Sequence, residues 1–170
     1  MLMDFGEWSP QVESPVFLAP GSYVIGRVEL GREASVWFNS VVRGDTERIR
    51  LGARSNLQDN GVLHADVGSP CLIGDDVTIG HGSVVHGAII ASRVLVGMGC
   101  VIMNGARIKS DVIVGAGSLI TQDAVIPSGT LVTGRPGRVV RELRSEELAR
   151  IQAAAAHYVD LWVQQGWHFQ

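Results

Sequence analysis

Aliphatic residues fall every six positions along most of the chain. From Ile90 the series runs Val96, Ile102, Ile108, Val114, Ile120, Ile126 and Val132. The same step links Ile73, Ile79 and Val85; Leu51, Leu57 and Leu63; and Leu18, Val24, Leu30, Val36 and Val42. Four positions on there is often a small or β-branched residue, such as Ser22, Ala34, Ser55, Ser83, Cys100 or Ala106. Neither a helix, with a period of about 3.6, nor a half-buried strand, with a period of about 2, repeats in this way. A six-residue unit is a short strand plus a turn, and three units close a triangular coil of about 18 residues. A β-sandwich is the competing fold, and it predicts period two with irregular turns. The expected fold is an all-β solenoid, a parallel β-helix of hexapeptide repeats, with about six coils over residues 1–140.

Three phase breaks interrupt the series: Val42 to Leu51, Leu63 to Ile73 and Val85 to Ile90. The first two read as small bulging loops, "RGDTERIR" and "HADVGSPCL", at corners of the prism, where solenoids often bind ligands. After "GRPGRVVREL" the pattern turns helical, so residues 141–170 are expected to form a C-terminal α-helix. Ser145 is the expected N-cap, Glu146 and Glu147 fill the first turn, and Leu148, Ile151, Ala155, Tyr158 and Trp162 form an apolar stripe. That stripe would pack along the solenoid or onto a neighbouring subunit. His157 and His168 read as surface or packing residues.

Composition narrows the function classes. A net charge of -3 with 18% charged residues offers no basic face for nucleic acid or a membrane surface. The N-terminus lacks a secretory signal pattern, and no apolar run approaches the roughly 20 residues of a membrane span. Two cysteines cannot make a disulfide framework and fit a reducing compartment, so the expectation is a cytoplasmic protein. Cys100 occupies the small inward slot, and Cys71, in the loop after His64, reads as inert rather than redox-sensitive.

Three of five histidines, His64, His81 and His86, lie in one short run. Units opening at Val42, Leu63 and Val85 are three units apart, so they stack on one face. The following residues, Arg43, His64 and His86, form an outward column, with the two imidazoles about 4.8 Å apart at the backbone. Such a pair can share a metal. His81 belongs to a different face, above Asp59. One chain therefore offers two ligands in one place and a third elsewhere. A closed C3 homotrimer, with His81 supplied by the neighbouring subunit, would complete the set. The alternative is an interface hydrogen-bonding set without metal. Zinc (Zn2+) is the first choice for three histidines, and Fe2+ or Co2+ also suits imidazole.

With this column, "VVRGD" (Val41–Asp45), "SNLQDN" (Ser55–Asn60) and the repeat, the chain resembles the gamma-class carbonic anhydrases over roughly residues 10–165, and more narrowly their short bacterial members. The resemblance implies a left-handed β-helix, a homotrimer with interface metals, and reversible hydration of carbon dioxide to bicarbonate by metal-bound hydroxide. It matches His64, His81 and His86 to the metal ligands, Arg43 and Asp45 to an arginine and aspartate beside the site, and Asn56, Gln58 and Asp59 to an "NxQD" motif. Gln58 would hold the hydroxide or a carbon dioxide oxygen. Asp45 and Asp59 would fix Arg43 and tune the histidines, or these charges form an interface ion-pair network alone. Tyr158 and Asn104 are weaker candidates.

Two departures stand out. Thr46 replaces a glutamate of the best-studied type, and the long acidic loop after the first histidine shrinks to "ADVGSPC", whose only acid is Asp66. Proton export, and with it turnover, is expected to be slow. Alternatives are a thioester hydrolase with a pocket bordered by the C-terminal helix, a hexapeptide acyltransferase with one catalytic histidine, and a non-catalytic trimeric scaffold stabilised by metal.

Overall fold

Every aliphatic residue of the six-step series except the half-buried Leu18 is buried, and together they form one continuous core. The computed structural model describes residues 1–164, so His168 lies outside the described residues. Short strands stack in parallel on three faces, which makes a left-handed β-helix. One face carries seven parallel strands, from Phe17–Leu18 through Asn56–Leu57, Thr78–Ile79 and Val94–Val96 to Thr130–Gly134. The other two faces form a single sheet, because Tyr23–Leu30 and Val41–Leu51 each bend across a corner.

The count from the repeat falls short by about one coil. Leu2–Met3 and Gln11–Val12 pair with Tyr23–Leu30 as a first partial turn, although they lack the six-residue step. Among the described residues no further coil pairs with its outer side, so nothing there forces aliphatic residues into register. The stretch "RGDTERIR" also differs from expectation. It is continuous strand, not a loop, and its extra residues are absorbed at the bend. The second break is a true turn, closed by mutual backbone bonds between Asp66 and Ser69, and Cys71 already belongs to the next strand.

One corner is built from Glu33, Arg54, Asp76, Arg93 and Asp111, all with positive φ between 55° and 62°. That conformation costs an L-residue about 1–2 kcal/mol. The column alternates in charge, and Arg54 meets Asp76 and Arg93 meets Asp111 through paired contacts of 2.6–2.8 Å. Exposed pairs of this kind return about 0–1 kcal/mol each and also fix the coil register.

The solenoid ends in an element the hexapeptide pattern does not contain. Gly137–Glu142 folds back antiparallel on Thr130–Gly134 and covers the last coil edge. The helix Ser145–Val163 follows, with Arg144 rather than Ser145 at the N-cap. The Glu147 carboxylate accepts the Arg144 N–H at 2.9 Å and pairs with Arg141 at 2.7 and 2.8 Å, so the cap hydroxyl is not needed. The helix packs along its own solenoid. Ile151 and Ala155 are buried, and Tyr158, Leu161 and Trp162 meet Phe17, Ala19 and Trp37. Leu148, expected in that stripe, is exposed.

Candidate metal centre

The register places Arg43, His64 and His86 side by side in successive coils, as the repeat count requires. His64 Nδ1 lies 2.8 Å from His86 Nε2. Each ring is held on its far side: His64 Nε2 is 2.9 Å from Asp45 Oδ1, and His86 Nδ1 is 2.5 Å from Asn104 Oδ1. Asp45 also bonds the Arg43 guanidinium. Burial raises the Asp45 carboxyl, but the hydrogen bonds from His64 and Arg43 outweigh it and hold it below the ordinary carboxylate value.

These outer partners decide the tautomers. A carboxylate can only accept, so His64 must carry its proton on Nε2, which leaves Nδ1 bare. An amide oxygen likewise requires the proton of His86 on Nδ1, which leaves Nε2 bare. Two lone pairs then face each other at 2.8 Å. While both rings are neutral they cannot hydrogen-bond to one another unless one abandons its outer partner; a proton or a metal ion between the two nitrogens resolves the clash. An arrangement of this kind is stabilised by a cation between the two nitrogens.

The remaining candidates gather on another face. His81 Nδ1 is 2.7 Å from Asp59 Oδ2, and Asp59 Oδ1 accepts the Phe38 N–H at 3.1 Å. Asp59 thus orients His81 and makes no bond to Arg43, contrary to expectation. The reason is direction: Asp59 sits one coil below His81, while Arg43 projects from a different sheet. The His81 side chain is 44% exposed, against 17% for His64, so its free Nε2 is open to an outside partner.

Beside it, Thr78 Oγ1 accepts from Asn56 Nδ2 at 3.1 Å, and Asn56 Oδ1 accepts a long 3.4 Å bond from Gln58 Nε2. Gln58 Oε1 accepts the His81 N–H at 3.2 Å. With its oxygen engaged and one amide N–H on Asn56, buried Gln58 lines the groove with a second N–H to spare. That groove, about 430 Å³, runs from Gln58 and His81 under Tyr158, Ala154 and Arg150 of the helix, over Leu95 and Ile113. Burial, with the Asp59 charge second, pushes the Tyr158 hydroxyl up and keeps it neutral.

The site residues therefore fall into two separate groups. Arg43, Asp45, His64, His86 and Asn104 make one, and Asn56, Gln58, Asp59, His81 and Tyr158 the other. Among the described residues, no three His, Cys, Asp or Glu side chains of one chain are grouped to hold an ion. Thr78, which fixes Asn56, was not singled out by the sequence. Its only signal there is register, one coil above Asn56.

No family model matches the chain. A Methanocaldococcus jannaschii protein named "Probable carbonic anhydrase" is 53% identical over 150 residues, covering 88% of this chain and 94% of that one. The chain belongs to the gamma carbonic anhydrase family. Another family member, gamma carbonic anhydrase 2 of Arabidopsis thaliana mitochondria, is 39% identical over 94% of this chain and 60% of its own length. A crystal structure of a hexapeptide transferase family protein from Anaplasma phagocytophilum superposes with a TM-score of 0.91 at 36% identity, covering 94% of this chain and 95% of that one. The family fold thus goes under two kinds of name.

Proposed function

We propose that this chain is a metal-dependent carbonic anhydrase, a lyase that interconverts carbon dioxide and bicarbonate at centres shared between the subunits of a homotrimer. The observation that carries the reading is the pair of bare nitrogens, His64 Nδ1 and His86 Nε2, turned towards each other by Asp45 and Asn104. An acyltransferase using one basic histidine has no use for that pair. The residues fit a metal: His64 and His86 would hold it from one subunit and His81 from the next, with zinc preferred and Fe2+ or Co2+ suited to the same donors. The chemistry supplied by such an ion is a water acidified to a pKa of about 7.

The chain's own groups do the rest. Gln58, with Oε1 tied to the His81 backbone, donates its amide N–H to a carbon dioxide or bicarbonate oxygen. Asn56, fixed by Thr78, holds the Gln58 amide in that orientation. Asp59 and Asp45 set the tautomers of His81 and His64. Arg43 reaches outward beside Asp45 and is suited to tie subunits together. Neutral Tyr158 closes the groove. Two buried free cysteines fit a reducing, cytoplasmic setting, and among the described residues no helix is long and apolar enough to cross a membrane.

A second reading, thioester hydrolysis by the same centre, gains support from the groove beneath the helix, which has room for a substrate larger than carbon dioxide. The test is metal content with stopped-flow carbon dioxide hydration, on wild type and His81→Ala. The expected result is about one ion per chain, with hydration lost in the variant. Full loading without hydration would favour the thioester or a scaffold, and a metal-free protein would overturn the reading.

A further inference from the structure

The turn after His64 reaches back across the site. Asp66 lies two residues beyond His64, yet its Oδ2 accepts a 3.3 Å bond from Asn104 Nδ2, a residue 38 positions further along the chain. The Asp66 carboxylate is itself held, because Oδ1 accepts the Val67 N–H at 3.0 Å and the turn is closed by the bonds between Asp66 and Ser69. Asn104 is thereby gripped at both ends of its amide: Nδ2 on Asp66 and Oδ1 on His86 Nδ1.

Gly87 supplies an independent observation. It has φ of +57°, and a Cβ there would lie 2.8 Å from Asn104 Oδ1 and 3.1 Å from Ser69 Cβ. The bare glycine next to His86 leaves the passage through which the amide reaches the imidazole.

An unrestrained asparagine presents either end of its amide to a ring nitrogen, and the two ends demand opposite tautomers. Oxygen towards His86 puts the proton on Nδ1 and leaves Nε2 bare. Nitrogen towards His86 does the reverse and places a proton on Nε2, the atom facing His64.

We infer that Asp66 and Asn104 form a positioning pair that locks the tautomer of His86, so that its Nε2 lone pair faces His64 Nδ1. The short turn after His64, read from the sequence as a shrunken loop whose only acid is Asp66, has this task. The inference rests on the metal-site reading above. The pair touches no substrate and acts through His86.

The test uses two readouts. Long-range 1H–15N spectra of chelator-stripped protein at pH 8 report the His86 tautomer, and chelator competition with Zn2+ reports affinity. Wild type should show Nδ1–H with bare Nε2. Asn104→Leu should lose that preference and weaken zinc binding about 10- to 100-fold, the usual effect of removing a partner of a metal-bound histidine. Asp66→Ala should shift both readouts in the same direction by a smaller amount. The exchanged pair, Asn104→Asp with Asp66→Asn, keeps an acceptor on His86 and a donor between the two residues, and should restore the wild-type tautomer. An unchanged tautomer in both Asn104→Leu and Asp66→Ala overturns the inference. If wild type binds no zinc at all, the metal reading fails instead, while the spectra still decide the role of the pair.

Discussion

A neutral histidine between a carboxylate and a second imidazole has only one proton to give, and that limit shapes this site at the residue scale. Asp45 accepts the Nε2–H of His64 and Asp59 engages Nδ1 of His81, so each neutral ring turns a bare nitrogen away from its acid. Gln58 is different, because one N–H of its amide goes to Asn56 and the second is left unspent. Gln58→Leu is expected to retain metal and to lower kcat/KM for hydration about 10²-fold, the scale of removing one donor to a developing charge. Stopped-flow assay with metal analysis on the same sample checks this. In the proposed hydration, proton export would be the weak point, because Thr46 is not an acid and the Asp66 carboxylate is occupied by Val67 and Asn104. Hydration should therefore rise with imidazole buffer concentration at fixed pH, and a buffer-independent rate would contradict that. The cysteines make a third case. Burial pushes Cys71 up to about 12 and also raises Cys100, so neither thiol should react with Ellman's reagent at pH 8 until the protein is denatured.

At the scale of elements, the helix Ser145–Val163 is pinned at its start by Glu147. The hydrogen bond from Arg141, then that from the Arg144 backbone, holds the Glu147 carboxyl far below its ordinary 4.5. A carboxyl depressed in the folded state stabilises it above the unfolded value and loses that contribution as pH falls towards the folded one. Melting temperatures of wild type and Glu147→Gln should differ by a constant amount above pH about 5 and converge in acid. A gap that widens in acid would contradict this account. The elements also mark what the sequence carried. Ile73, Ile79 and Val85 gave away their strands because each must point inward in every coil. Gly137–Glu142 was hidden because it pairs antiparallel at the end of the stack and buries no aliphatic at the six-residue step. The stretch "RGDTERIR", inside Val41–Leu51, reads as a loop for a related reason. A corner crossed in extended conformation adds residues without adding a turn.

At the scale of the whole molecule the core is a single column, so a defect in one coil is felt by its neighbours above and below. Ile102 is fully buried between Val85 and Ile120, and Ile102→Ala should cost about 2–5 kcal/mol by denaturant unfolding. The candidate site was legible to the same extent as the stack. Register alone put His64 beside His86 and His81 on another face, since Cα pairing follows from counting. Register also set Asp59 below His81, but the partner of Asp66 was not legible, because side-chain direction in a turn is set by turn geometry rather than by the repeat. The split into two half-sites makes the central claim testable without a structure of the assembly. Co-expressed chains carrying His81→Ala, and chains carrying His64→Ala with His86→Ala, each lack one half-site. If each centre joins two subunits, random mixed trimers contain about a quarter of the wild-type number of whole sites. Each variant alone should be inactive and metal-poor, and the mixture should regain about that fraction of both metal and hydration. No recovery in the mixture, or full activity in either variant alone, would contradict the central claim.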